Sequence, residues 1–131
     1  MDGRGERVRD AAGMIRSMSP RLLPGDFVFR TVDGTEAARL LPEARAMVVE
    51  DEGLSLVLPG EANDPLAMRQ ITLDVHSALD GVGLTAAVAT ALAHAGIPCN
   101  MVAGHHHDHV FVPAGAAEQA LDLLRRLSEA E

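Results

Sequence analysis

Residues 75–85 read Val75-His76-Ser77-Ala78-Leu79-Asp80-Gly81-Val82-Gly83-Leu84-Thr85, and they join two segments of different periodicity. Upstream, Ile71, Leu73 and Val75 alternate with Thr72, Asp74 and His76, the period of a strand with one buried and one wet face. Downstream, Leu84, Ala87, Val88, Ala91, Leu92 and Ala95 recur at helical spacing, which predicts a helix ended by Gly96 and Pro98. Beyond it, Cys99 to Ala103 and Val110 to Val112 read as short strands around a His-rich turn. Ala117, Leu121, Leu124 and Leu127 mark a closing helix.

Toward the amino terminus the same series occurs once more. Asp26 to Val32 is rich in Phe, Val and Thr and reads as a strand. Thr35 to Leu41 is a weak helix ended by Pro42, and the strands Ala46 to Glu50 and Leu54 to Leu58 flank the tight turn Asp51-Glu52-Gly53. Pro59 to Pro65 is a loop and the natural linker. Earlier still, Val8, Ala11, Ala12, Ile15 and Met18 share one helical face, and Ser19-Pro20 stops that helix. The expected organisation is therefore duplicated: residues 1–62 hold a helix and a first unit, residues 63–131 a second. The class is α+β, each half a ferredoxin-like βαββ unit with antiparallel strands and helices on one sheet face. The first and last helices are expected to cover the two halves.

A chain of 131 residues with 47% hydrophobic content buries a core without metal or disulfide. Aromatic residues are 2%, with no Trp or Tyr, which argues against a base-stacking RNA-binding sheet. The net charge of −8 opposes nucleic acid and anionic membrane surfaces as partners. One cysteine, Cys99, cannot form an internal disulfide and suits a reducing compartment. The charged start, Met1 to Asp10, leads into no apolar stretch of secretory length, so a cytoplasmic protein is expected.

Three places could carry chemistry. At the helix start near Leu84, backbone N–H groups lack intrahelical partners and the dipole is positive, so an anionic ligand group can bind there without a basic side chain. Gly81 and Gly83 permit close approach, although they also suit plain turn geometry with Ser77 or Asp80 as a cap. The run Gly104-His105-His106-His107-Asp108-His109 offers metal-binding residue types, and His107 and His109 would share one side of a strand. It matches no closed tetrahedral motif, so no metal is assigned, the alternative being a clip of His107 and His109 with Cys99 or His76. For catalysis, Ser77 and His76 are adjacent and point to opposite faces of a strand, and Cys99 reads as core. No catalytic set, and no cofactor, is expected.

The segments Leu54 to Pro59, Val75 to Thr85, and Ile97 to Gly104 with Asp108 to Pro113 resemble a family of small bacterial proteins with tandem ACT domains. The resemblance runs from about Leu23 to Leu124 and departs at Met68 and His105-His106, where the family carries aromatic residues. It implies paired ferredoxin-like units, regulation or sensing through a bound small molecule, typically an amino acid, and no catalysis. Carried onto this chain, it implies a ligand site of Ser77, Gly81, Val82, Gly83, Leu84 and Thr85, with Asn100 and His109 as neighbours. A homodimer is expected. The rival expectations are metal binding at the His-rich turn and a protein interaction module without ligand.

Overall fold

The computed structural model describes residues 10–61, 63–75 and 81–130. Val8, and His76, Ser77 and Asp80 of the strand-to-helix turn, therefore lie outside the described residues. In chain order the elements are α1 (Ala11–Arg16), β1 (Pro20–Leu22), β2 (Asp26–Val32), α2 (Gly34–Leu40), β3 (Ala46–Glu50), β4 (Gly53–Gly60), β5 (Met68–Leu73), α3 (Leu84–His94), β6 (Asn100–Ala103), β7 (Asp108–Pro113) and α4 (Ala117–Ala130).

The strands form one antiparallel sheet in the order β3-β4-β2-β5-β7-β6, with β1 also on β5. Read outward from the middle, β2-β4-β3 and β5-β7-β6 follow the same plan: the first strand of each unit is central, the third lies beside it and the second is outermost. The first strand of one unit borders that of the other through the Phe27–Met68 pair, and β1 pairs with β5 alongside it. The Phe27–Met68 pair also keeps the faces in step, since residues directly opposite share a face. Val28, Leu56 and Leu58 face α2, while Ile71, Leu73, Val110 and Val112 face α3 and α4. All the described helices thus lie on one side, and Phe27, Val57 and Phe111 make a small apolar layer on the other.

The hairpin expectations hold, because turn chemistry and alternation act locally, but β4 runs on through Pro59 and Gly60 of the expected loop to pair with β2, and β5 spans Met68–Leu73, ending short of Val75. Asp33 caps α2 by accepting from Glu36 N at 2.9 Å, and Asp51-Glu52 form a two-residue turn between β3 and β4.

Three expectations need correction. The first helix is shorter than its apolar spacing suggested: Asp10 caps it and Ser17 ends it, so Ala11 and Ala12 are exposed while Met14, Ile15 and Met18 are buried. The first and last helices do not divide the two halves between them, because α1 and α4 both enter the core of the second unit. Finally, β5 does not have one wet face. Gln70 and Thr72 are only 4% and 2% exposed, because β5 has neighbours on both sides and its polar side chains lie among theirs.

One strand escaped the sequence reading. After the left-handed Ser19 (φ 42°), Pro20–Leu22 pairs with β5, and proline is tolerated there because it is the first residue of the strand. The break before β2 stays tied to β5: Leu23 N donates to Gln70 O at 2.9 Å, and Arg69 donates to Leu23 O at 2.8 Å.

Candidate functional site

The sequence-predicted site falls on two sides of the sheet. Gly81 to Thr85 lead into α3, which begins at Leu84 on the helical face. Leu84 is buried in the core and anchors that end, while Val82 is 78% exposed and Thr85 is exposed. Gly83 is the N-cap residue, with φ 109°, a conformation L side chains rarely adopt. Its carbonyl accepts from Ala87 N at 2.9 Å, and as a glycine it offers no capping side chain. The close approach that Gly83 permits is taken by the protein itself: a Cβ built there would stand 2.7 Å from the Cβ of Ala11 in α1. On that side Gly83 is a packing residue.

His109 and Asn100 lie on the other face. His109 pairs with Thr72 across β5 and Asn100 pairs with Phe111 across β7, so both share the face of Phe27. The structure therefore does not bring Asn100 together with Gly81 to Thr85 on one surface. His109 stands at the end of the sheet where β5 leaves for α3, whereas Asn100 lies level with Gln70, farther from that end.

What gathers around His109 is a polar triangle. Its Nδ1 is 3.0 Å from Thr72 Oγ1 and 3.2 Å from Gln70 Nε2, and Gln70 Nε2 donates to Thr72 Oγ1 at 3.0 Å. Burial pushes the His109 pKa down; His107, Arg21 and Arg45 act in the same direction, and Asp108 opposes them. A neutral ring follows, and Nδ1 can then accept from the Gln70 amide. Gln70 Oε1 is buried and, among the described residues, has no hydrogen-bond partner. Exchanging the two ends of the carboxamide would leave the nitrogen unpartnered instead. In either orientation a buried polar atom lacks a partner, at a cost of about 1–3 kcal/mol unless a water or ligand group meets it.

Gln70, Thr72 and Arg21 were missed as site residues. Arg21 holds Asp74 through two nitrogens, at 3.0 and 3.2 Å, beside a cleft of about 600 Å³ between β1 and α4 that also exposes Arg125 and Glu129. Nothing in local spacing marks these residues. For Gln70 and Thr72 the signal lies in the tertiary fold, which sets Phe111 and His109 of β7 opposite them, while Arg21 stays exposed on β1.

The His-rich turn is held by its own backbone. Gly104 N donates to His107 O at 2.9 Å, and His107 Nδ1 lies 3.4 Å from Val75 O. Among the described residues no group of three His, Cys, Asp or Glu side chains is placed to hold a metal ion. Cys99 packs half-buried against the second core, which pushes its thiol pKa up, away from the reactive thiolate. No described helix is long and apolar enough to cross a membrane.

Comparison with known proteins agrees with this architecture. Two ACT-domain family models match in tandem, over residues 8–71 and 67–126. A protein of unknown function from Vibrio cholerae, named a possible transport protein, is 47% identical; the match covers 85% of this chain and 89% of that one, with a TM-score of 0.74. A protein from Agrobacterium tumefaciens is 20% identical over 83% of this chain and 87% of its own, with a TM-score of 0.65. The chain also superposes on about a third of two amino-acid-pathway kinases at 12% identity, which shows shared fold alone. These are aspartate kinase of Clostridium acetobutylicum (TM-score 0.61, 83% of this chain and 34% of that one) and Escherichia coli aspartokinase III in complex with aspartate and ADP (0.59, 82% and 32%). A search of curated proteins found no significant match. The two ferredoxin-like units define an ACT-domain protein. The chain belongs to the family of small tandem ACT-domain proteins, whose domains commonly bind amino acids in regulation.

Proposed function

We propose that this protein is a non-enzymatic sensor that binds an amino acid and passes its presence to a regulated partner. In this reading the ligand lies on the face that carries His109, beside Gln70 and Thr72, with Asn100 farther along that face. The α3 start, Gly81 to Thr85, which with Ser77 was expected to take the ligand carboxylate, leads into the helix on the opposite side and is left out of that contact. The single cysteine keeps a reducing cytoplasmic setting part of the proposal.

One observation carries the reading: the buried Gln70 carboxamide beside His109 and Thr72 has an unpartnered atom, in a chain built of domains that commonly bind amino acids. As an acceptor, Oε1 suits the ammonium of an amino acid. The acidic net charge also favours a ligand with a cationic group.

Thermal-shift measurement against the twenty amino acids tests the proposal. A ligand present at 100 times its Kd adds about 2.7 kcal/mol and raises the midpoint by several degrees. Gln70→Met should lose that response while keeping a folded spectrum. If none of the twenty raises the midpoint at millimolar concentration, amino-acid sensing is wrong.

A further inference from the structure

All three phenylalanines of the chain, which has no Trp or Tyr, gather on the sheet face opposite the helices. The Phe111 ring stands edge-to-face with Phe27 and with Phe29, at 6.1 and 5.6 Å between ring centres. Phe27 and Phe111 are buried, so Phe29, 47% exposed, is the ring this cluster presents to solvent. Phe111 lies directly across from Gln70, so the apolar surface borders the polar triangle.

A cation lies over the same cluster. The Arg45 guanidinium carbon is 5.0 Å from the centre of the Phe27 ring, and its backbone is pinned where Arg45 N donates to Val57 O at 2.8 Å. Arg21, Arg39 and Arg126 each hold a carboxylate, that of Asp74, Glu36 and Asp122 respectively. Among the described residues no carboxylate pairs with Arg45, in a chain where acidic residues outnumber basic ones 19 to 11. A guanidinium stacked on a ring keeps its fork of N–H donors free for a planar anion. Arg45 is also near enough to His109 to favour the neutral imidazole.

We propose that the sensed ligand is an amino acid with an apolar side chain, whose carboxylate pairs with Arg45 while its ammonium meets Gln70 Oε1 and its side chain covers Phe29. This rests on the amino-acid proposal above, and adds to it a carboxylate partner and a side-chain class. The spacing suits such a ligand. Phe27 pairs with Met68, which makes Gln70 its diagonal neighbour on that face, at about 7–8 Å. With Arg45 over Phe27, the two charged ends of one amino acid are each met by a charge-assisted hydrogen bond of about 2.7–2.9 Å. A charged side chain would find no partner on the Phe29 ring. Arg45 belongs to the first unit and Gln70 to the second, so the bound ligand ties the units together.

Isothermal titration calorimetry on the full chain tests this, with L-leucine, L-methionine and L-phenylalanine against glycine and L-aspartate. At least one of the first three should bind about tenfold or more tighter than glycine or aspartate. Arg45→Met keeps an apolar cover over Phe27 and deletes the charge, and should weaken that amino acid about tenfold or more. The corresponding amino-acid amide, which has no carboxylate, should bind wild type and Arg45→Met alike. Arg45→Lys should lose less than Arg45→Met, and Phe29→Ser should erase the preference over glycine. Unchanged affinity in Arg45→Met, or an equal loss for the amide, removes Arg45 from the site; the amino-acid proposal then stands alone if Gln70→Met still abolishes binding. Glycine or aspartate binding as tightly as the apolar three overturns the side-chain class. If none of the three binds, the inference fails, and the screen of all twenty amino acids decides whether the proposal behind it fails as well.

Discussion

Helix α3 runs eleven residues across β5 and β7 with α1 and α4 beside it, whereas α2 has seven residues and covers β2 and β4 alone. The core under the first group holds sixteen buried apolar residues, and the one under α2 holds four, so equal element order has not produced equal burial. The deficit shows on the surface: Phe29, Leu41, Met47, Val48 and Val49, five of the seven exposed large apolar side chains among the described residues, belong to the first unit. Repetition of strands and helices thus fixes a topology, while the supply of helical cover decides how much of it is dry. The amino-terminal segment sharpens the point. Though first in sequence, α1 and β1 complete the second unit, through Met14, Ile15 and Met18 and through the β1–β5 ladder.

The largest expected difference between the units lies in their cores. Leu92→Ala, which empties a fully buried site in α3, should cost about 4 kcal/mol by urea denaturation, and Leu58→Ala under α2 about 2 kcal/mol. Equal losses would break the comparison, because they would mean that the small core is as tightly held as the large one.

Next in size is the junction of α1 with α3. Gly83→Ala combines an unfavourable backbone conformation with a clash against Ala11, and should cost about 2 kcal/mol in the same assay. Adding Ala11→Gly should return only part of that loss, since it removes the clash and leaves the backbone strain. Full recovery would mean that strain contributes nothing there.

The smallest effect is the pH dependence of the polar triangle. The His109 pKa is lowered in the folded protein, so between that lowered value and the usual 6.5 the unfolded chain binds more protons than the folded one. The stability associated with a neutral His109 is complete above pH 6.5 and is lost as pH falls through the window below it. Unfolding midpoints followed downward from neutral pH should therefore fall more steeply in the wild type than in His109→Gln. Identical slopes would show that His109 titrates alike in both states.

Much of the fold was legible in local sequence. The strands Asp26–Val32 and Ala46–Glu50, the Asp51-Glu52 turn, and the long helix beginning at Leu84 depend on alternation, turn chemistry and helical spacing within a few residues. The site was less legible. Gly81 to Thr85 and His109 could be singled out by residue type, but Gln70 and Thr72 read as an ordinary wet strand face. Their burial follows from β1, β2 and β7 flanking β5, and β1 was itself invisible behind Ser19-Pro20.

The sequence by itself determined the α+β class and the order of every strand and helix but β1, because period-two and helical patterns report which residues need a dry face, and its motifs carried the resemblance to the family. Only the tertiary structure decided where those faces meet: that α1 belongs to the second unit, that Ala11 fills the space beside Gly83, that His109 and the α3 start lie on opposite sides of the sheet, and that β3 is left as an apolar edge. The physical reason is range. Propensity acts over one turn of backbone, whereas burial depends on neighbours such as Thr72 and His109, 37 residues apart in the chain.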